Sequence, residues 1–285
     1  MRGRFAPSPT GVLHVGNLRT ALLAWLFARS PGSSFLVRVE DLDVGRVRPG
    51  FAERQLADMA LLGLDWDGEV VWQSARTGLY EDALSALPVY ECFCTRAEIA
   101  EAASAAHGPV GAYPGTCRGL SVAERDARRV ERAPALRVDA GGAVVSFVDR
   151  VLGSQSGFVD DFVVRRNDGA FAYNLAVVVD DGAQGIEEVV RGADLVDSTP
   201  RQIWLGRALG LPELSYAHVP LVLGPDGRRL AKRHGDVTLR DVPADAALAW
   251  MAASLGLSGS TPRELLAGFD AASVSREPTT FDGVR

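Results

Sequence analysis

The N-terminal segment 4–17 combines residue types that bind phosphate: a loop with two prolines and two glycines, then a histidine and an asparagine before an apolar helix. Phe5 can end a short strand, and Asn17 is suited to cap the helix. A loop that leads into a helix N-terminus offers backbone N–H groups and the positive end of the helix dipole to an anion. His14 and Asn17 stand in the last turn before the helix, where both can reach a phosphate. The alternative is a strand–loop–helix with a purely structural role.

A second candidate for phosphate binding is Lys232, the only lysine among the 30 basic residues of the chain. It follows a Pro-Asp-Gly turn at 225–227, in a basic segment. An ammonium group is a compact point charge and a guanidinium group a planar fork, so the two are not interchangeable on a crowded phosphate. An incidental surface lysine, the alternative, would show no preference for this position. We therefore predict a functional role for Lys232.

Charged residues also follow two predicted strands. Residues 35–43 predict a strand that ends in carboxylates, Glu40 among them, and residues 188–194 predict a buried parallel strand that carries Arg191. The C-terminal ends of parallel strands face the ligand crevice, so these side chains are candidates for a binding site. Arg4 and Arg191 are best suited to a bidentate grip on a carboxylate. A solvated acidic turn and structural salt bridges are the alternatives.

All three cysteines, Cys92, Cys94 and Cys117, fall in one short stretch. Clustered cysteines in a chain without a secretion signal indicate a metal site more than a disulfide. A Cys-x-Cys pair with a distant third thiolate suits tetrahedral zinc, and metal chemistry alone favours His107 as the fourth ligand. The alternative is three unligated core cysteines. No general base accompanies the cluster, so we expect a structural rather than a catalytic metal.

The composition bounds the class of protein. A chain of 285 residues, 47% hydrophobic and 23% charged, can bury a full α/β core and one inserted module. The net charge of −6 argues against nonspecific nucleic-acid binding through bulk charge. The N-terminus has no signal-peptide pattern, and the apolar run 21–28 is too short to span a bilayer. A cytoplasmic protein without membrane association is therefore expected.

The motifs together resemble a known family. Residues 14–17, His-Val-Gly-Asn, are similar to the His-x-Gly-His/Asn signature of class I aminoacyl-tRNA synthetases. Residues 4–11 and the Arg-x-Glu-Asp-x-Asp block at 38–43 resemble the glutamyl/glutaminyl branch. Residues 229–233, Arg-Leu-Ala-Lys-Arg, resemble the second signature, Lys-Met-Ser-Lys-Ser, although Ala231 lacks the serine hydroxyl that would bind phosphate. The resemblance covers residues 4–240.

The resemblance implies roles for these residues. L-Glutamate would be bound by Arg4, Ala6, Ser8, Glu40, Tyr173 and Arg191, with Glu40 on the ammonium group. ATP, accompanied by Mg²⁺, would be bound by His14, Gly16, Asn17, Arg229 and Lys232. The catalytic residues would be His14, Asn17 and Lys232, which would stabilise the charge that develops on phosphate.

The cysteine pattern narrows the resemblance. Cys92, Cys94, Tyr113 and Cys117, as Cys-x-Cys and Tyr-x-x-x-Cys, resemble the structural Zn²⁺ site of glutamyl-queuosine tRNA(Asp) synthetases. Tyr113 is then the implied fourth ligand, and His107 stays the rival. The implied reaction is ATP-dependent activation of L-glutamate, followed by transfer to the queuosine base in the anticodon of tRNA(Asp), by a monomeric enzyme. Full-length glutamyl-tRNA synthetases carry a large anticodon-binding region, for which this chain is expected to have no room.

The implied fold is α/β, with a Rossmann-like parallel sheet of the class I aminoacyl-tRNA synthetase type. This catalytic domain would be split into residues 1–87 and 161–238, with a zinc-binding α+β module inserted at 88–160 and a short helical C-terminal segment at 239–285. Three alternatives stay open for the function: a truncated glutamyl-tRNA synthetase that charges tRNA(Glu), a non-catalytic tRNA- or glutamate-binding paralogue, and a small-molecule nucleotidyltransferase.

Overall fold

The computed structural model describes residues 1–105, 112–230 and 237–283. The strands of this part are β1 (Gly3–Phe5), β2 (Phe35–Val39), β3 (Val71–Trp72), β4 (Val89–Cys92), β5 (Ala135–Val138), β6 (Ala143–Asp149), β7 (Gly153–Val159), β8 (Val163–Arg165), β9 (Glu188–Gly192), β10 (Ser215–Val219), β11 (Val222–Leu223) and β12 (Thr279–Thr280). The α-helices are α1 (Val15–Arg29), α2 (Phe51–Leu61), α3 (Thr77–Ser85), α4 (Arg96–Ala105), α5 (Val122–Glu131), α6 (Tyr173–Ala183), α7 (Thr199–Ala208), α8 (Ala244–Ser254) and α9 (Pro262–Leu266). Strands β2 and β9 confirm the two strands predicted from the sequence.

The centre of the fold is a seven-stranded sheet with the order β3-β2-β1-β9-β10-β6-β7. The first six strands pair in parallel, and β7 returns antiparallel to β6. The chain order reverses at β1, because β2 and β3 lie on one side and β9 and β10 on the other. Ligands of such sheets bind beyond the carboxyl ends of the strands at this reversal. The predicted α/β, Rossmann-like fold is confirmed.

A smaller antiparallel sheet, β4-β5-β8, lies beside the cysteine cluster. The strands of this sheet are not the ones that the predicted module boundaries, residues 88 and 160, would place in it. Strands β6 and β7 were expected in the insertion but extend the main sheet, whereas β8 was expected in the main domain and joins the small sheet. The alternation of exposed and buried residues along β6 fits either sheet, so the sequence pattern alone cannot assign the strand.

Helix α1 lies in the interior of the fold rather than on its surface. Twelve of its 15 residues are buried, and it packs against β1, β2 and β9 on one side and α9 on the other. Burial of a leucine such as Leu22 stabilises the fold by about 1.5–3 kcal/mol. The N-terminus of α1 is consequently held rigidly at the carboxyl end of the sheet. No helix among the described residues is long and apolar enough to cross a membrane.

Candidate functional site

A cleft of about 1010 Å³ opens at the carboxyl ends of β1, β2 and β9. Ten of the predicted site residues line it: Arg4, Ala6, Ser8, His14, Gly16, Asn17, Glu40, Tyr173, Arg191 and Arg229. The predicted amino-acid-binding and ATP-binding residues therefore share one cleft. Lys232 and Ala231 lie outside the described residues.

His14, and not Asn17, is the N-cap residue of α1, which corrects the prediction. Asn17 stands three residues later, where its backbone N–H donates to His14 Nδ1 at 3.3 Å and its Oδ1 accepts from the His14 backbone N–H at 3.3 Å. Both residue types can cap a helix, and here they do so reciprocally. Because Nδ1 accepts, a neutral His14 carries its proton on Nε2. His14 can therefore present an N–H donor to an anion while it closes the first helical turn.

Gly16 is required by the close approach of its neighbours. A Cβ atom at this position would lie 3.0 Å from the His14 ring and 3.3 Å from Cβ of Val222. A side chain here would displace the His14 ring, because α1 has no room to move away from the core. The glycine therefore fixes the position of the imidazole at the helix N-terminus.

Gln55 on α2 holds the loop between β1 and α1, a role that the sequence analysis missed. Its Nε2 donates to the carbonyl oxygens of Ser8 at 3.0 Å and Gly11 at 2.7 Å. The loop is also joined to β2, because the Glu40 backbone N–H donates to Pro7 at 2.9 Å. Gln55 is only 2% exposed. The available signal was a polar residue on the buried face of an amphipathic helix, between Ala52 and Met59.

Arg4 is held by a buried carboxylate, Asp181 of α6. Arg4 Nε and Nη2 donate to the Asp181 oxygens at 3.2 and 3.3 Å, and Arg38 Nη1 donates to Asp181 Oδ1 at 2.8 Å. Burial alone would raise the pKa of Asp181, but the two guanidinium groups hold it below its ordinary value. Asp181 therefore stays charged and sets the orientation of both arginines.

Glu40 lies next to this buried group at the edge of the cleft. Its Oε1 is 3.5 Å from Arg38 Nη2, and its side chain is 9% exposed. Burial raises the pKa of Glu40, and the charges of Arg38 and Arg4 oppose this effect only in part. A carboxylate whose charge is destabilised by burial gains from a cationic ligand. The geometry is thus suited to an ammonium group.

Arg191 on β9 carries its charge into the cleft, and none of its hydrogen-bond acceptors among the described residues is a carboxylate. Its Nη1 donates to Gln202 Oε1 at 2.7 Å and to the Tyr173 hydroxyl at 3.3 Å. Its Nη2 donates to Thr199 Oγ1 at 2.8 Å, and its Nε to His218 Nε2 at 3.1 Å. These acceptors are neutral, so the cation can attract an anionic ligand group. To hold a carboxylate through two hydrogen bonds, Arg191 or Arg4 would have to use guanidinium N–H groups that do not already donate to other protein groups.

Arg229 stands at the mouth of the cleft, where it forms an ion pair with Asp194. The Arg229 side chain is 51% exposed, so water screens the pair and its contribution to stability is small. Arg229 can exchange this partner for a phosphate at little cost.

The three cysteines converge at a second site beside the small sheet. The sulfur atoms of Cys92, Cys94 and Cys117 lie within 4.8 Å of one another, and Cys94 Sγ is 3.5 Å from Cys117 Sγ. Thiolates that share a tetrahedral zinc ion lie about 3.8 Å apart, given a Zn–S distance of about 2.3 Å. The cluster can therefore hold a metal ion.

The phenol of Tyr113 joins the cluster. Its oxygen is 3.4 Å from Cys92 Sγ and 3.7 Å from Cys94 Sγ. The guanidinium of Arg137 stacks 3.8 Å from the centre of the Tyr113 ring. Burial would raise the pKa of Cys92, but hydrogen bonds from Tyr113 and the Cys94 backbone, with the charge of Arg137, hold it below its ordinary value. His107, the rival ligand, lies outside the described residues.

Comparisons with known proteins agree with this geometry. The family model of the catalytic domain of class I tRNA synthetases (E and Q) matches residues 1–280. The glutamyl-Q tRNA(Asp) synthetase of Nocardia farcinica is 59% identical over 286 residues, which cover 97% of this chain and 91% of the relative. That of Symbiobacterium thermophilum is 48% identical over 304 residues, with 97% and 94% covered. The crystal structure of a glutamate tRNA ligase from Elizabethkingia meningosepticum, in complex with its amino acid, is similar with a TM-score of 0.83 and 28% identity, over 99% of this chain and 67% of that chain.

Proposed function

We propose, because this chain belongs to the catalytic-domain family of class I tRNA synthetases for glutamate and glutamine, that it activates L-glutamate with ATP and transfers it to the queuosine base of tRNA(Asp). The observation that carries the proposal is the nearly full-length similarity to relatives named glutamyl-Q tRNA(Asp) synthetase. The cleft supports it, since it holds cationic and anionic groups for an amino acid beside a helix N-terminus for phosphate.

In the first step, an oxygen of the glutamate α-carboxylate attacks the α-phosphorus of ATP. A C–O–P bond forms, the bond to the bridging oxygen breaks, and pyrophosphate leaves with the electron pair. We assign Glu40 to the ammonium group and Arg4 and Arg191 to the carboxylates of glutamate, with the backbone at Ala6 and Ser8 and the hydroxyl of Tyr173 completing the amino-acid site. Catalysis in this scheme is positioning and charge stabilisation, with no covalent enzyme intermediate.

The phosphate side of the cleft would stabilise the charge on the transferred group. We assign this role to the Nε2–H of His14, Asn17 and the N-terminal N–H groups of α1, and, from the sequence, to Lys232. Gly16 would allow the phosphates to approach, and Arg229 would contact them at the mouth. Mg²⁺ bound with ATP would neutralise phosphate charge.

In the second step, a hydroxyl of queuosine attacks the activated carbonyl of glutamyl-adenylate, so that an ester forms and AMP leaves. The proposed organisation is a monomer whose catalytic domain carries the cysteine module as an insertion. We propose Zn²⁺ as the metal of that module, in a structural role, with Cys92, Cys94, Cys117 and Tyr113 as ligands. Bound there, the ion would tie β4 to the loop that contains Cys117.

The proposed function is tested by glutamate transfer to matched tRNAs. We expect glutamate-dependent ATP–pyrophosphate exchange without tRNA, and transfer of labelled glutamate to tRNA(Asp) that contains queuosine. The same tRNA(Asp) without queuosine is the matched control and should accept none. Transfer to tRNA(Glu) alone would favour a truncated glutamyl-tRNA synthetase. Absence of both exchange and transfer, from a folded protein, would favour a binding paralogue.

The zinc proposal is tested by the metal content of the purified chain. We expect one Zn²⁺ per chain, and a Cys94→Ser variant should bind it at least about 10–100-fold more weakly, the cost of losing even an outer partner of a metal site. Tyr113→Phe and His107→Ala separate the two candidate fourth ligands, because only the true ligand should weaken binding. A folded protein that takes up no zinc would contradict the proposal.

A further inference from the structure

Three buried side chains, Asp149, His218 and Arg191, form a continuous hydrogen-bonded row that ends at the cleft with Arg191. Asp149 ends β6, His218 lies on β10, and Arg191 lies on β9. Asp149 Oδ2 is 2.6 Å from His218 Nδ1, and His218 Nε2 is 3.1 Å from Arg191 Nε. The exposed fractions of Asp149, His218 and Arg191 are 1%, 0% and 5%. Neither Asp149 nor His218 is among the site residues predicted from the sequence.

The protonation of this row follows from its contacts. Asp149 also accepts backbone N–H groups from Val151, Leu152 and His218. Burial alone would raise the pKa of Asp149, but these bonds and the hydrogen bond with the His218 imidazole hold it below its ordinary value. An ionised Asp149 can only accept, so the proton of the ring stands on Nδ1. Burial lowers the pKa of His218, which keeps the ring neutral. Nε2 is then a lone-pair acceptor for the Arg191 Nε–H.

The other hydrogen bonds of Arg191 do not replace the one to His218 Nε2. Gln202 and Tyr173 accept from Nη1, and Thr199 accepts from Nη2. Among these described partners, His218 alone accepts from Nε, the atom that joins the guanidinium group to the aliphatic part of the side chain. The hydrogen bond to Asp149 holds the ring in place, and the ring lies parallel to that of Tyr216 with the two centroids 6.2 Å apart. His218 therefore limits rotation of the guanidinium plane about the aliphatic side chain of Arg191.

We propose that His218 is a positioning residue for amino-acid recognition: it orients the Arg191 guanidinium toward the cleft, and Asp149 fixes the tautomer that makes this possible. The inference rests on the proposed function, in which Arg191 binds a carboxylate of glutamate. His218 does not contact the substrate in this scheme. We expect its effect on the amino-acid side of the cleft, because the residue that it orients, Arg191, is assigned to glutamate and not to ATP.

Two matched substitutions test the proposal. In His218→Gln the amide reaches the position of Nε2 and supplies an acceptor to Arg191, whereas in His218→Asn the amide occupies the position of Nδ1 and leaves Arg191 Nε unpaired. The loss of a hydrogen bond to a charged group predicts that His218→Asn raises KM for glutamate in pyrophosphate exchange about 10-fold or more, with KM for ATP unchanged. His218→Gln should stay within about 3-fold of the unaltered enzyme, because it retains that bond. Equal KM values for glutamate in the two variants would overturn the proposal.

Controls separate positioning from folding and from the proposed function. Trp25→Phe removes the partly buried hydrogen bonds from the indole N–H to Asp65, at the far end of α1, and should lower Tm without changing KM for glutamate. Arg191→Ala should raise KM for glutamate more than either His218 variant. A normal KM in Arg191→Ala would refute the assigned role of Arg191. A raised KM there beside a normal one in His218→Asn would refute only the positioning role.

The tautomer can be measured without any substitution. With ¹⁵N-labelled histidine in the unaltered protein, His218 should show a protonated Nδ1 and an unprotonated Nε2 at neutral pH. The chain has four histidines, so in a sample also labelled with ¹³C the through-bond correlations from ring to backbone assign the signals to His218. A protonated Nε2 would leave Arg191 without its acceptor and would overturn the proposal even if both variants failed to fold.

Discussion

Replacing His14 with alanine is expected to slow glutamate-dependent ATP–pyrophosphate exchange by about 10²–10³-fold, the usual cost of losing one preorganised donor at a site of developing charge. The Nδ1 atom of His14 accepts from the Asn17 backbone N–H, so the neutral ring carries its proton on Nε2, the nitrogen assigned to the phosphate. The measurement is kcat of exchange at saturating glutamate and ATP.

His14→Asn is the matched control for the helix cap. Asparagine caps helices well, so this variant should keep the stability of α1, whereas alanine should lower the free energy of unfolding by about 1 kcal/mol. Both variants should lose the same factor in kcat, because both lack the imidazole. If His14→Asn exchanged at the normal rate, the histidine would be only a cap, and the assigned contact with phosphate would be wrong.

Replacing Asp181 with asparagine is expected to lower the free energy of unfolding by about 3–5 kcal/mol, because it leaves a buried cationic pair without its shared anion. Arg4 and Arg38 are 4% and 0% exposed, and both donate to Asp181. The measurement is urea denaturation, with the free energy extrapolated to water. Asp126→Asn on α5, whose carboxylate is exposed and paired with Arg129, is the control and should change stability little. An equally small effect in Asp181→Asn would contradict the assignment of a charged Asp181.

The same substitution should change the acid dependence of stability. The pKa of Asp181 is lower in the folded than in the unfolded chain, so the folded state holds the proton less tightly. Its contribution is complete above the unfolded pKa of about 3.9 and is lost as the pH falls through the folded value. Asp181→Asn cannot titrate, so the unfolding free energy of this variant should fall less steeply with acid below about pH 4.

Local chemistry allowed much of the cleft to be predicted from the sequence. The proline and glycine pattern at 4–17, the charged ends of two strands and the cysteine spacing are each encoded within a few residues, and the structure brings these residues to one cleft and one cluster. The helix cap was misplaced by three residues, because His14 and Asn17 can both occupy an N-cap and only the backbone geometry separates them.

The partners behind the cleft could not be predicted in this way. His218 meets Asp149 because β10 pairs with β6, and Arg4 of β1 meets Asp181 of α6 although the two residues are 177 positions apart in the chain. Both contacts depend on the tertiary arrangement of the elements, which hydrophobic periodicity does not specify. The predicted placement of β6 and β7 in the inserted module is wrong for the same reason, since the alternation of buried and exposed residues along a strand does not specify which sheet the strand joins.

The central position of β1 has a consequence for synthesis of the chain. This strand leaves the ribosome before β9, although β9 is one of its two neighbours in the sheet through the pairing of Gly3 with Glu188. At a translation rate of about 5–20 residues per second, β1 waits for many seconds with one edge unpaired. An unpaired edge of this kind can pair with other chains. Yield in cells should therefore depend on how β1 is protected before β9 emerges, even though the finished fold buries it completely.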